Sequence, residues 1–241
     1  MPGAKALYRN DRSLRRRLYK FSKAKQAKQE SRKTMYTLYS ISGTCSTGIT
    51  VLLEKLGVEF QTIQRADVPN YLEIVPTNAV PALKTEEGQI ITEGAAIVLY
   101  LLEKHKNDMM PSALPAKAEF LQWLMFDYAT LHPAYAKIFT IAMKVEIDES
   151  EKAKVMQQLG DHLSGLWAIL DKRLADQKFI VGEQASVIDY MATIYSSWGN
   201  YFPDVKITLG KNVERLIADV QNLPEFKAGY AAENTAFKAA A

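Results

Sequence analysis

One cysteine stands in a chain of 241 residues. An internal disulfide is therefore excluded, and the usage fits a reducing compartment such as the cytoplasm. There is no C-x-x-C pair and no Cys/His cluster, so the pattern of a structural zinc site is missing and no metal is expected. Long apolar runs are missing too. The longest, Ala95 to Leu102, has eight residues, far short of the ~20 that span a bilayer. No segment resembles a secretory signal, and no internal repeat or low-complexity tract occurs. Acidic residues are scarce in one place only. Residues 1–34 hold twelve Lys/Arg against Asp11 and Glu30, whereas the other 207 residues hold 18 bases and 25 acids. The net charge of +3 thus belongs to a basic leader, and the body is acidic.

Three readings of residues 1–34 compete. The segment could contact an anionic surface, nucleic acid or lipid. It could be an Arg-rich organelle address. Or it is a solvated, disordered leader without a role, which a second methionine, Met35, immediately before the first apolar run favours.

What is present centres on the lone thiol. Met35 to Ser40 reads as a strand, Ser42-Gly43-Thr44 breaks it, and Cys45 follows. Ile49, Leu52, Leu53 and Leu56 then repeat with the spacing of one buried helix face, and Gly57 fits a C-cap. Cys45 is expected at the helix N-terminus, where free N–H groups and the helix dipole favour an anion. That field predicts a thiol reachable from water and more acidic than the usual ~8.5. A small buried residue is the competing reading of Cys45.

Further along, Val58 to Ile63 alternates like a second strand, and Asp67 to Ile74 suggests a short helical segment. Pro81 precedes a strand over Ala82 to Thr85, Glu86-Glu87-Gly88 signals a hairpin, and Gln89 to Thr92 returns. A helix over Gly94 to Lys104 follows. Beyond the linker 107–115 only helices are expected. They are Ala116 to Lys144 with a kink at Pro133, Glu149 to Leu174, an apolar run from Tyr190 behind a capping box at Ser186–Asp189, and two closing helices. The predicted fold is an α/β domain, β-α-β-α-β-β-α over residues 35–106, followed by an all-α domain over 116–241.

This order of motifs resembles the cytosolic glutathione S-transferase family, over residue 35 to about 232. Ser-Gly-Thr-Cys-Ser at 42–46 is similar to the bacterial beta-class pattern. Asn78 to Leu83 resembles the segment with a cis-proline, Thr92 to Ile97 the segment that holds the γ-glutamyl end of glutathione, and Trp123 to His132 the fourth helix. Ser186 to Asp189 resembles the family's capping box. The resemblance implies a thioredoxin-like N-terminal domain, glutathione as co-substrate, a hydrophobic electrophile as second substrate, and a homodimer. It implies glutathione contacts at Cys45, Val80, Pro81, Glu93, Gly94 and His132, and catalytic roles for Cys45, Ser46 and His132. Pro133, Met125 and Ala79 stand where the beta class has polar or basic residues, and Asn70 falls near another basic contact.

Two activities follow from that resemblance. In the first, a glutathione thiolate is conjugated to an electrophile. In the second, Cys45 forms a mixed disulfide with glutathione; with no resolving cysteine nearby, a second glutathione would finish that cycle. The two compete, because two thiolates side by side repel, so weak conjugation with measurable thiol–disulfide exchange is expected. A glutathione-dependent isomerase lacks its serine-rich turn here. The rival class is a non-catalytic scaffold of the same fold, used for dimerisation or protein binding. Tyr36 and Tyr39 are rival sulfur contacts that read better as packing residues, and Thr44 is a second candidate hydroxyl. Met109, Met110, Met125, Trp123, Phe126, Tyr128, Tyr135 and Phe139 have core spacing, with some available to line an apolar pocket.

Overall fold

The computed structural model describes residues 35–240. The readings of the basic leader lie outside the described residues. Four strands come from the first half: β1 (Tyr36–Ser40), β2 (Phe60–Gln64), β3 (Ala82–Lys84) and β4 (Ile90–Thr92). They pair in the order β2-β1-β3-β4. β2 runs parallel to β1, and β3 and β4 are antiparallel to their neighbours. Leu38 stands opposite Leu83, and both are fully buried. The parallel β1–β2 pair needs a crossover, and α1 (Cys45–Leu56) supplies it. Gly57 closes α1 at φ 64°, a left-handed cap that costs glycine nothing, and its N–H returns to Glu54 and Leu53.

Between β2 and β3 lie a 3₁₀ turn (Arg65–Asp67) and the one-turn α2 (Tyr71–Ile74). α3 (Gly94–Lys104) follows β4. All remaining elements are helical: α4 (Leu114–Met125), a π-helical turn (Phe126–Leu131), α5 (His132–Lys144), α6 (Glu149–Arg173), α7 (Val187–Ser196), a 3₁₀ turn (Ser197–Tyr201), α8 (Lys211–Val220) and α9 (Pro224–Ala232). The fold is a thioredoxin-like α/β part with a four-stranded mixed sheet followed by a helical part, as the pattern predicts.

The expected interruption at Pro133 takes the form of that π turn. Proline lacks the N–H for Ala129, four residues back, and its ring would strike that carbonyl. The wider turn upstream relieves the clash, and a new helix begins with Pro133 in its first turn.

Two devices hold the helical part together. The Ser186 capping box is closed in both directions, and buried Asp189 also accepts from the Ile180 N–H at 2.8 Å. Burial raises that carboxyl to about 6, against the pull of four hydrogen bonds. Trp167 donates to the Tyr135 hydroxyl at 3.0 Å inside the α5–α6 contact.

Candidate functional site

Cys45 is the first residue of α1, and Thr44 is the N-cap, its hydroxyl accepting from the Ser46 N–H. Local sequence dictates this: a threonine cap leads into the apolar face that begins at Ile49. A dense hydroxyl network sets the turn before the thiol. Thr44 Oγ1 donates to the Ile41 carbonyl at 2.7 Å, Gly43 N–H donates to Thr47 Oγ1 at 2.8 Å, and Ser46 Oγ accepts from the Ile41 N–H at 3.1 Å. Trp198 adds a tie from the helical part, donating to the Gly43 carbonyl at 2.8 Å.

Glu233 anchors the network from behind. One oxygen accepts from Ser40 and Thr50, both at 2.7 Å, and the other from Thr47 at 2.6 Å. The C-terminal segment therefore grips β1 and the first turns of the cysteine helix. Nothing in the sequence pattern marks Glu233 for this role; its partners lie more than 180 positions away.

The thiol differs from expectation. Cys45 is 6% exposed, and burial pushes its pKa up to about 12, against the opposing N–H groups of Cys45 and Ser46 and the Thr44 hydroxyl. Desolvation of a thiolate outweighs a capped helix end here, because the sulfur is almost fully enclosed. Cys45 is thus a neutral thiol at pH 7, aimed at the Val80 carbonyl 3.8 Å away. The Val80–Pro81 peptide is cis, as the resemblance implies. Among the described residues the Val80 N–H makes no hydrogen bond, so an extended peptide can pair there.

Glu93 takes φ 67° at the N-cap of α3, yet its side chain caps nothing. It is exposed, with no ion pair among the described residues. A non-glycine residue held left-handed beside uncapped helix N–H groups leaves a carboxylate and an anion-binding helix end side by side. Gly94 is required for a different reason. A Cβ there would collide with the Tyr128 ring, which packs over the start of α3 and reaches Met191 Sδ at 3.6 Å.

A cavity of about 430 Å³ opens beside the thiol, lined by Cys45, Thr44, Val80, His132, Phe139 and Trp198 among others. His132 and Cys45 therefore share one space. Burial lowers the His132 pKa, so the imidazole is neutral at pH 7, edge-on to Trp198 at 5.4 Å. A larger cavity of about 780 Å³ lies away from the thiol, between the segment after Tyr201 and α8.

Ser46 is not brought to the cavity. It is fully buried and committed to Ser40, Ile41 and Thr44, so its proposed catalytic role gives way to a structural one. Tyr36 and Tyr39 are packing residues: Tyr36 bonds His105 at 2.8 Å, and Tyr39 meets Tyr71 edge-on. Met109, Met110, Met125 and Trp123 do not line the cavity. Trp198, Tyr201, Met143 and Lys144 do, and sequence reasoning missed them. A signal was available for part of the set: His132, Ala136, Phe139, Thr140 and Met143 form one helical stripe starting at the histidine.

A thioredoxin-like sheet is thus followed by a helical part, with the lone cysteine facing a cis X-Pro bond. Residues 47–108 match the family described as "Glutathione S-transferase, N-terminal domain". The match begins two residues after Cys45, so it covers the Val80 and Glu93 segments but not the thiol. Glutathione S-transferase GstA of Escherichia coli O157:H7 is 25% identical over 194 residues, 76% of this chain and 90% of that protein. Elongation factor 1-gamma of Danio rerio is 26% identical over 171 residues, 66% of this chain but only 35% of that protein. A glutathione S-transferase structure from Xylella fastidiosa superposes with TM-score 0.73 at 23% identity, covering 83% of this chain and all but 1% of that one. A Sulfitobacter glutathione transferase homologue with bound glutathione gives TM-score 0.69 at 20% identity, covering 81% and 96%. The structural likenesses establish the fold, and the domain match places residues 47–108 beside the N-terminal domain of glutathione S-transferases.

Proposed function

We propose that the protein binds glutathione and conjugates it to small electrophiles. The observation that carries this reading is the neutral Cys45 thiol pointing at Val80, on the wall of a 430 Å³ cavity, with the free Glu93 carboxylate at the start of α3. Glutathione's cysteinyl unit pairs with the Val80 backbone next to Pro81. Its γ-glutamyl carboxylate meets the N–H groups from Gly94 onward, and its ammonium meets Glu93. The glutathione sulfur then lies at Cys45. A protonated Cys45 removes the repulsion between two thiolates and donates a hydrogen bond to the bound one. The thiolate attacks the electrophile, its leaving group departs, and the thiol proton passes to solvent. His132 contributes a neutral imidazole to the same cavity. These are effects of position and local electrostatics.

Thiol–disulfide exchange through Cys45 is the lesser activity, because it needs the buried sulfur as nucleophile. A homodimer in the cytoplasm completes the proposal. The second reading is a non-catalytic scaffold, which the likeness to elongation factor 1-gamma favours. Retention on immobilised glutathione together with conjugation of 1-chloro-2,4-dinitrobenzene supports the enzyme. Retention on neither ligand nor turnover of the substrate would leave the scaffold. Replacing Cys45 by alanine should abolish exchange while sparing part of the conjugation; exchange that survives rules out Cys45 as its nucleophile.

A further inference from the structure

The cavity beside Cys45 has an uneven chemistry. Its walls are aromatic, and their rings meet edge-on or tilted. Trp198 meets His132 at 5.4 Å and Phe139 at 5.9 Å, and Phe139 in turn meets Tyr201 at 5.6 Å. Interlocked rings of this kind offer flat faces and edges to a flat guest. Most of the polar groups on the walls are already committed. Trp198 gives its N–H to Gly43, Thr44 gives its hydroxyl to Ile41, and Thr140 gives its hydroxyl to Ala136 at 2.8 Å.

Among the described residues the His132 ring nitrogens, the Tyr201 hydroxyl and Lys144 have no hydrogen-bond partner, and of these Lys144 bears the ammonium group. It is the last residue of α5, exposed, and the one Lys or Arg side chain on the lining. No Asp or Glu lines the cavity, and Lys144 has no ion pair among the described residues. One cation at the mouth of an aromatic cavity without an acid gives the site a sign preference.

We propose that this cavity selects planar aromatic electrophiles bearing a carboxylate or similar anionic group, with Lys144 as the residue that reads the charge. The conjugation step rests on the glutathione reading above; the selectivity of the cavity does not. For a chloronitrobenzoate the glutathione sulfur forms a bond to the ring carbon that carries chlorine. Chloride leaves with the bonding pair, the thiol proton goes to solvent, and no oxidant or reductant is needed.

The test separates binding from turnover. Dissociation constants for 3,5-dinitrobenzoate and for neutral 1,3-dinitrobenzene are read from tryptophan quenching. Values of kcat/KM are read for 4-chloro-3,5-dinitrobenzoate and 1-chloro-2,4-dinitrobenzene. Wild type, Lys144→Met and Lys144→Arg are compared at low salt. An exposed charge pair supports a preference of up to about fivefold. The anion-to-neutral affinity ratio should fall by about that factor in Lys144→Met, hold in Lys144→Arg, and fall in wild type at high salt. Equal ratios in wild type and Lys144→Met overturn the proposal, as does failure of both nitroaromatics to bind. Lys144-dependent binding without turnover of either chloride keeps this proposal and defeats the conjugation reading instead.

Discussion

Replacing Asp127 with asparagine should stabilise the protein at neutral pH. Asp127 lies in the π turn, fully enclosed, and neither carboxyl oxygen has a hydrogen-bond partner among the described residues. Burial, and then the nearby charge of Asp189, push its pKa well above the carboxylate range. An unfolded aspartate titrates near ~3.9. The folded chain keeps the proton that the unfolded chain releases, so stability is complete below pH ~4 and falls as pH rises through the folded pKa. The slope is about 1.4 kcal/mol per pH unit between the unfolded and folded pKa values. Asparagine has no such cost, although its amide remains an unpaired buried group, as the protonated acid was. Asp127→Asn should therefore gain more than about 1.4 kcal/mol at pH 7, one pH unit of that slope, and less than ~1 kcal/mol at pH 4. Asp189 titrates in both proteins, so its contribution cancels to first order. Urea unfolding followed by far-UV circular dichroism at pH 4, 5.5, 7 and 8.5 measures the difference. A variant no more stable at pH 7 than at pH 4, relative to wild type, would show an ionised, partnered Asp127 and refute the reasoning.

Two other predictions follow from the same interior. Glu233→Gln converts one acceptor oxygen into a donor facing a buried hydroxyl, and should cost about 1–3 kcal/mol in urea unfolding; an unchanged midpoint removes Glu233 as the anchor of the cysteine helix. Cys45, pushed up to about 12, should react with iodoacetamide at pH 8 more than about a hundredfold slower than a free thiol of pKa ~8.5. An alkylation profile with a midpoint below ~8.5 would restore the acidic cysteine.

Much of the fold was legible because its signals are local. Gly94–Lys104 is observed with the expected bounds, the Ser186–Asp189 capping box is closed, and Gly57 caps α1 as its position after an apolar stripe suggests. Strand ends slipped by a residue or two, as at Phe60 and Ile90, where edge pairing rather than residue type decides the boundary. Motif resemblance singled out Cys45, Val80 and His132 as ligand contacts, and the three line one cavity. The chemistry of the thiol was not. Its acidity depends on how completely α1 is roofed by the rest of the chain, and helix position alone omits that desolvation. Asp127, Glu233 and Lys144 escaped for the same reason: burial, long-range partners and a lack of partners are properties of the assembled chain. A charged residue in a helical stretch carries no mark of any of them.

The central claim is that glutathione lies along Val80 with its γ-glutamyl end at the start of α3. Titrating the isotope-labelled protein with reduced glutathione, and following its backbone amide resonances, tests that directly. The Val80, Gly94 and Ala95 amides should shift together and saturably, and Glu93→Gln should weaken the titration roughly tenfold or more, the loss of one charge-assisted contact. Saturable shifts confined to other segments, or none at millimolar glutathione in a folded sample, would contradict it.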